Sequence, residues 1–146
     1  MIVRPVEKAD WQEWLRMRRL LWPSTSLREH EDAMGAYFMR GEGFLSWVVE
    51  ISDKRMIGFL EASIREVPQG CNMRNIGYID GWYVEPDFRR IGVGRLLVTH
   101  ATQWAHARGC KELGSDCEFG NEGCLKAHLG LGFEETSRLI HFHKRL

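Results

Sequence analysis

Residues Gly77 to Arg108 constrain this chain more than any other stretch. Tyr78-Ile79-Asp80-Gly81-Trp82-Tyr83-Val84 is rich in aromatic and β-branched residues, which predicts a strand closed by Pro86. A basic, glycine-containing turn follows, Arg89-Arg90-Ile91-Gly92-Val93-Gly94. Val93, Leu96, Leu97, Ala101, Trp104 and Ala105 then recur at helical spacing, so the turn feeds an amphipathic helix. Glycine lets the backbone come close to a ligand. The free N–H groups and dipole of a new helix favour an anion. Arg89, Arg90 and Arg95 add cations suited to phosphate oxygens. The expected guest is a pyrophosphate gripped mostly by main chain.

Two common phosphate motifs fail here. Gly92 and Gly94 supply two glycines of a dinucleotide fingerprint, but Leu97 holds the third place. Glu112 sits about twenty residues beyond Gly92, where a ribose-binding acid belongs, yet the usual first βαβ unit is missing. No Gly-Lys-Ser/Thr follows the turn, so there is no nucleoside-triphosphate P-loop.

The 146 residues suit one domain, 1–146, with one core. Formal net charge is zero, which gives no footprint for nucleic acid or a membrane surface. Neither a transmembrane-length apolar run nor a signal peptide is read, so the expected compartment is the cytoplasm. Cys71, Cys110, Cys117 and Cys124 match no zinc spacing and are read as reduced thiols. No metal site is expected.

In chain order, Ile2 to Pro5 predicts a strand and Asp10 to Leu21 a helix, with Asp10 and Glu13 spaced as a capping box. A second helix spans about 28–40, and its acidic first turn (Glu29, Glu31, Asp32) suits the helix dipole or one wall of a cationic-substrate site. Phe44–Ile51 and Met56–Ile64 predict a hairpin, and Pro68-Gln69-Gly70 a turn. Gly81, inside the central strand Ile76–Glu85, predicts a bulge. After the third helix come a strand at Lys111–Asp116, a short helix at Asn121–Leu129 and a last strand at Phe133–Arg145. The class is α/β (α+β), a mixed central sheet flanked by helices.

Arg89-x-x-Gly92-x-Gly94 after Val84-Glu85-Pro86 resembles the acetyl-coenzyme A signature of the GCN5-related N-acetyltransferases. The element order β-α-α-β-β-β-α-β-α-β is similar to that fold over the whole chain. Asn121 stands where the family has an asparagine that contacts the pantetheine arm. His128-x-x-Leu131-Gly132-Phe133 looks like the family's Tyr-x-x-Leu-Gly-Phe, with His128 in place of the tyrosine that protonates the coenzyme sulfur. Leu21-Trp22-Pro23, Glu61 to Arg65, Asp80-Gly81, Ser115-Asp116 and Leu131 to Thr136 resemble the aminoglycoside 6'-N-acetyltransferases in particular. Val67-Pro68-Gln69-Gly70 departs from that subgroup.

The resemblance implies acetyl-CoA as co-substrate, a small polycationic amine as acceptor and a homodimer. Trp82, Tyr83, Val84, Arg89, Arg90, Ile91, Gly92, Val93, Gly94, Arg95 and Asn121 would hold the cofactor. Asp116 would anchor the amine and serve as a possible base, with Asp80 beside it. His128 would protonate the thiolate, and Trp22 would be a platform for a sugar ring. The alternatives are transfer to a polyamine, an amino sugar or a protein N-terminus, and a non-catalytic acyl-CoA-binding domain.

Overall fold

The computed structural model describes residues 1–66 and 75–146. Its principal elements are β1 (Ile2–Pro5), α1 (Trp11–Leu21), α2 (Leu27–Met39), β2 (Phe44–Glu50), β3 (Met56–Arg65), β4 (Ile76–Val84), α3 (Val93–Ala107), β5 (Leu113–Ser115) and α4 (Glu122–Gly130). The sheet runs β1-β2-β3-β4-β5. Its first three junctions are antiparallel, and β4 pairs β5 in parallel.

Alternation along the strands builds a core on each face. Trp47, Val49, Ile57 and Ile79 meet α3 through Leu97, Ala101 and Trp104. Val48, Phe59 and Tyr83 face the other way, onto Trp14 and Met17 of α1 and Met34 of α2. A side chain as fully buried as Leu97 contributes about 2 kcal/mol by leaving water.

Glycine 81 marks a bulge, as its position in an aromatic strand suggests. Glu61 pairs with Gly81 but Ala62 pairs with Ile79, so Asp80 is the extra residue on β4. The parallel ladder between β4 and β5 stops at Ile79↔Ser115. Beyond it the two strands part, and residues 80–84 have no strand on that side among the described residues.

Two expectations need correction. Asp10 does not cap α1 through its side chain. Its carboxylate accepts instead from Arg4 and from the Glu7 N–H, and the box closes one turn earlier, between Glu7 and Asp10. The capping box that does form on a long helix is Ser26–Glu29, which starts α2 and uses the first of its acidic residues. The last strand is not formed: among the described residues no strand follows Ser115, and residues 133–146 form no regular element. A strand needs a paired edge, and among the described residues this segment pairs with neither open edge of the sheet, β1 or β5. Ile140 and Phe142 are consequently exposed. The Pro68-Gln69-Gly70 turn, the Val67–Gly70 departure and Cys71 lie outside the described residues.

Candidate active site

The cofactor side of the site is built where β4 is unpaired. The Glu85 N–H donates to the Ile57 carbonyl, so alternation turns the groups of Tyr83 toward β3 as well. Trp82 and Val84 present theirs to the open edge. Tyr83 is thus a core residue, its ring 6.2 Å from Phe59 and its hydroxyl donating to Glu85.

The turn that follows is shaped for an anion. Gly92 takes φ 98° as the residue before α3, a conformation glycine adopts without penalty. The first internal bond of α3 runs from the Leu96 N–H to the Gly92 carbonyl, which leaves the N–H groups of Val93, Gly94 and Arg95 outside the helical ladder. Arg90 and Arg95 are exposed beside them, as is Ile91. Arg89 does a different job: its Nε donates to the Val84 carbonyl at 2.8 Å and braces the turn against the strand. A main-chain nest with two exposed guanidinium groups beside it fits the pyrophosphate of a coenzyme A tail. Gly94 has a second role, since a Cβ there would lie 2.5 Å from Cζ2 of Trp82.

On the other side, a cavity of about 240 Å³ is walled by Trp14, Arg18, Trp22, Tyr37, Glu61 and Asp80. The structure therefore brings Trp22 and Asp80 together. Asp116 reaches the same region through Tyr78, whose hydroxyl donates to Asp116 Oδ2 at 2.7 Å. Arg65 links the two carboxylates: it forms an ion pair with Asp80 and its guanidinium carbon lies 3.7 Å from the Tyr78 ring centre. Burial and Asp116 both push the Tyr78 hydroxyl upward, so it stays a donor at neutral pH.

Several of these groups escape a reading of local pattern. Glu61 is buried on β3, in an ion pair with Arg18, and also accepts from Trp14 Nε1 at 3.0 Å. Burial pushes its carboxyl up, and Arg18 and Trp14 oppose that. The Arg18 guanidinium also lies 4.8 Å from the Trp22 ring. His30 is completely buried beneath Trp22, its Nε2 3.3 Å from the Trp22 carbonyl. A carbonyl only accepts, so Nε2 carries the hydrogen. Burial and the charge of Arg18 push the pKa of His30 down. A carboxylate inside the apolar run Ile57 to Ala62 was a readable signal for Glu61, because acids are rare in strands.

The imidazole of His128 is buried, 5.4 Å from the Trp82 ring and 5.2 Å from Phe133. Its Nδ1 lies 2.8 Å from the Cys124 carbonyl and its Nε2 2.8 Å from Ser115 Oγ. Asn121 caps α4, its side chain accepting from the Cys124 N–H at 3.1 Å. Cys110, Cys117 and Cys124 are free thiols, and burial, followed by the neighbouring Cys117, pushes Cys124 up to about 11. Among the described residues no cluster of three His, Cys, Asp or Glu side chains could hold a metal ion.

A mixed sheet parted at β4/β5, with a glycine nest opening a helix at the parting, defines an acyl-CoA-dependent transferase. The chain belongs to the Acetyltransferase (GNAT) family, whose model matches residues 11–133. It is 40% identical to the aminoglycoside N(6')-acetyltransferase type 1 of Klebsiella aerogenes, over 99% of this chain and 97% of that one. The crystal structure of aminoglycoside antibiotic 6'-N-acetyltransferase AAC(6')-IG from Acinetobacter haemolyticus superposes with a TM-score of 0.91 at 34% identity, covering 100% and 99% of the two chains. AAC(6')-Iy in complex with the bisubstrate analog CoA-S-monomethyl-acetylneamine gives 0.90 at 32% identity, covering 99% and 98%. The mixed sheet with its flanking helices is the fold of those enzymes.

Proposed function

We propose that this protein moves the acetyl group of acetyl-CoA onto the 6'-amine of an aminoglycoside, by direct transfer. The observation that carries the reading is the meeting of two features: a tryptophan-walled cavity that includes the Asp80 carboxylate, and the unpaired edge of β4. Full-length similarity to enzymes bearing that name supports it.

Acetyl-CoA, when bound, supplies the activated thioester. The Val93, Gly94 and Arg95 N–H groups, with Arg90 and Arg95, hold its pyrophosphate; Asn121 lies beside its arm. An N–H on the open edge of β4, from Trp82 or Val84, stabilises the charge that builds on the carbonyl oxygen. Asp116 anchors the amine and takes a proton from its cationic form, directly or through water. Asp80 holds a further ammonium, displacing Arg65. Orientation of the amine against the acetyl carbonyl carries much of the rate. Trp22 supports the sugar ring, and His128 serves the departing thiolate.

The protein works as a cytoplasmic homodimer in this reading. Among the described residues no helix is long and apolar enough to cross a membrane. Leu139, Ile140 and Phe142 are exposed along a segment that pairs with no strand among the described residues, and a second copy would cover them.

The test is thiol release from acetyl-CoA with kanamycin, its 6'-hydroxyl analogue and a polyamine as acceptors. Turnover with kanamycin alone is the expected result. Equal turnover with the 6'-hydroxyl analogue overturns the regiochemistry, and turnover with the polyamine alone moves the substrate class.

A further inference from the structure

His128 cannot meet a reactant directly, because both of its ring nitrogens are already engaged. The Cys124 carbonyl, 2.8 Å from Nδ1, accepts a hydrogen bond and so fixes the proton of the neutral ring on that nitrogen. Nε2 is left with its lone pair, and the Ser115 hydroxyl at 2.8 Å donates to it. The ring is wedged edge-to-face against Trp82 and Phe133, which keeps water away and holds the imidazole in one orientation. Ser115 is placed differently. It stands on the last rung of β5, opposite Ile79, where the strands part, and it is only half buried. Asp116, the residue after it, is exposed and already tied to Tyr78.

We infer that Ser115 is a catalytic residue that relays protons between the reacting atoms and His128. The inference rests on the acetyl-transfer reading above. A neutral amine must lose one proton as its N–C bond forms, and the sulfur must gain one as the C–S bond breaks. Ser115 Oγ accepts the amine proton while its own hydrogen moves to His128 Nε2, giving an imidazolium. The reverse pass returns a hydrogen from Oγ to the departing sulfur and restores the neutral ring. One proton leaves nitrogen and one reaches sulfur, so the products are an amide and a thiol with no net charge left on the protein. The Cys124 carbonyl stabilises the imidazolium by keeping its bond from Nδ1 throughout. A linked Ser–His pair can thus do both the base and the acid work, and Asp116 is needed only to anchor the amine and neutralise its resting cation.

The discriminating experiment is single-turnover acetyl transfer, which isolates the chemical step, on the full chain with kanamycin and acetyl-CoA. Ser115→Ala is expected to slow that step about 100-fold, the scale of a lost acid–base group, with acetyl-CoA affinity unchanged. Ser115→Thr keeps a hydroxyl and is expected to recover most of the rate. His128→Gln is expected to match Ser115→Ala, and the double variant to be no slower than the worse single one, because the two act as a unit. In mixtures of light and heavy water the wild-type rate is expected to curve with deuterium fraction, from more than one proton in flight, and the Ser115→Ala rate to fall on a line. A purely structural link between α4 and β5 would lower melting temperature without moving the isotope response. A Ser115→Ala transfer rate within twofold of wild type, or multiplying losses in the double variant, overturns the relay. Wild-type protein that binds acetyl-CoA and acetylates no aminoglycoside would overturn the substrate reading instead.

Discussion

The indole of Trp22 occupies the space that a side chain on Gly81 would need. A Cβ built on Gly81 would lie 2.5 Å from Trp22 Cζ2, while Arg18 covers the indole and His30 holds its carbonyl from below. The bulge at Asp80 and the absence of a side chain at the next residue are therefore one device: they set a carboxylate and an aromatic wall in a single cavity. Gly94 repeats the arrangement on the thioester side, where it makes room for Trp82.

Gly81→Ala should consequently act on the amine and spare the nucleotide. The forced contact is expected to cost about 1–3 kcal/mol of stability, the range for overpacking a fitted site. The KM for kanamycin should rise by about tenfold, some 1.4 kcal/mol, with the KM for acetyl-CoA little changed. Steady-state kinetics with each substrate varied in turn reads this directly; a rise confined to acetyl-CoA would contradict the placement of Trp22.

Asp116→Asn is expected to lower kcat/KM for the aminoglycoside by about 100-fold and to leave coenzyme A binding intact. Tyr78→Phe removes only the hydroxyl that orients this carboxylate at 2.7 Å, so its loss should be nearer tenfold, as for one hydrogen bond to a charged group. Calorimetry of coenzyme A with both variants provides the control. Equal loss of coenzyme affinity would remove Asp116 from the amine site.

His30 predicts a pH response of stability rather than of chemistry. Burial and Arg18 depress its folded pKa, so the unfolded chain takes up a proton first as pH falls. Its contribution is full above about pH 6.5, the unfolded value, and is lost below it at no more than about 1.4 kcal/mol per pH unit. Urea unfolding from pH 7.5 to 5 should show a shallower decline for His30→Gln than for wild type. Parallel declines would mean that His30 does not carry the effect.

The exposed tail gives a prediction about assembly. Wild-type protein is expected to elute from gel filtration at dimer mass, and Ile140→Asp at monomer mass, because Ile140 and Phe142 are exposed apolar side chains that a second copy would bury. A wild-type monomer across a wide concentration range would contradict it.

The strand, turn and helix from Ile76 to Ala107 were legible because their signals are local: β-branched alternation, glycine at a left-handed position and apolar residues at helical spacing. Even the bulge could be read, from one glycine in an aromatic strand. What escaped joins residues far apart. Arg65 meets Asp80, Tyr78 meets Asp116, Ser115 meets His128, and Arg18 meets Glu61 across 43 positions. Periodicity carries no information about such pairs. The capping role of Asp10 was misread because Arg4 and the Glu7 N–H claim its carboxylate. The last segment carries strand-like apolar positions, but a strand forms only where it pairs, and among the described residues this segment joins neither open edge of the sheet.

The most direct measurement is calorimetric titration of acetyl-CoA into folded wild-type protein, Gly92→Val and Asp116→Asn. Gly92 holds φ 98° at the start of α3, so a branched side chain there should spoil the main-chain nest. Micromolar binding by wild type and Asp116→Asn, lost in a still-folded Gly92→Val, is the expected result. Wild-type protein that is folded and releases no heat with acetyl-CoA would contradict the site as a whole.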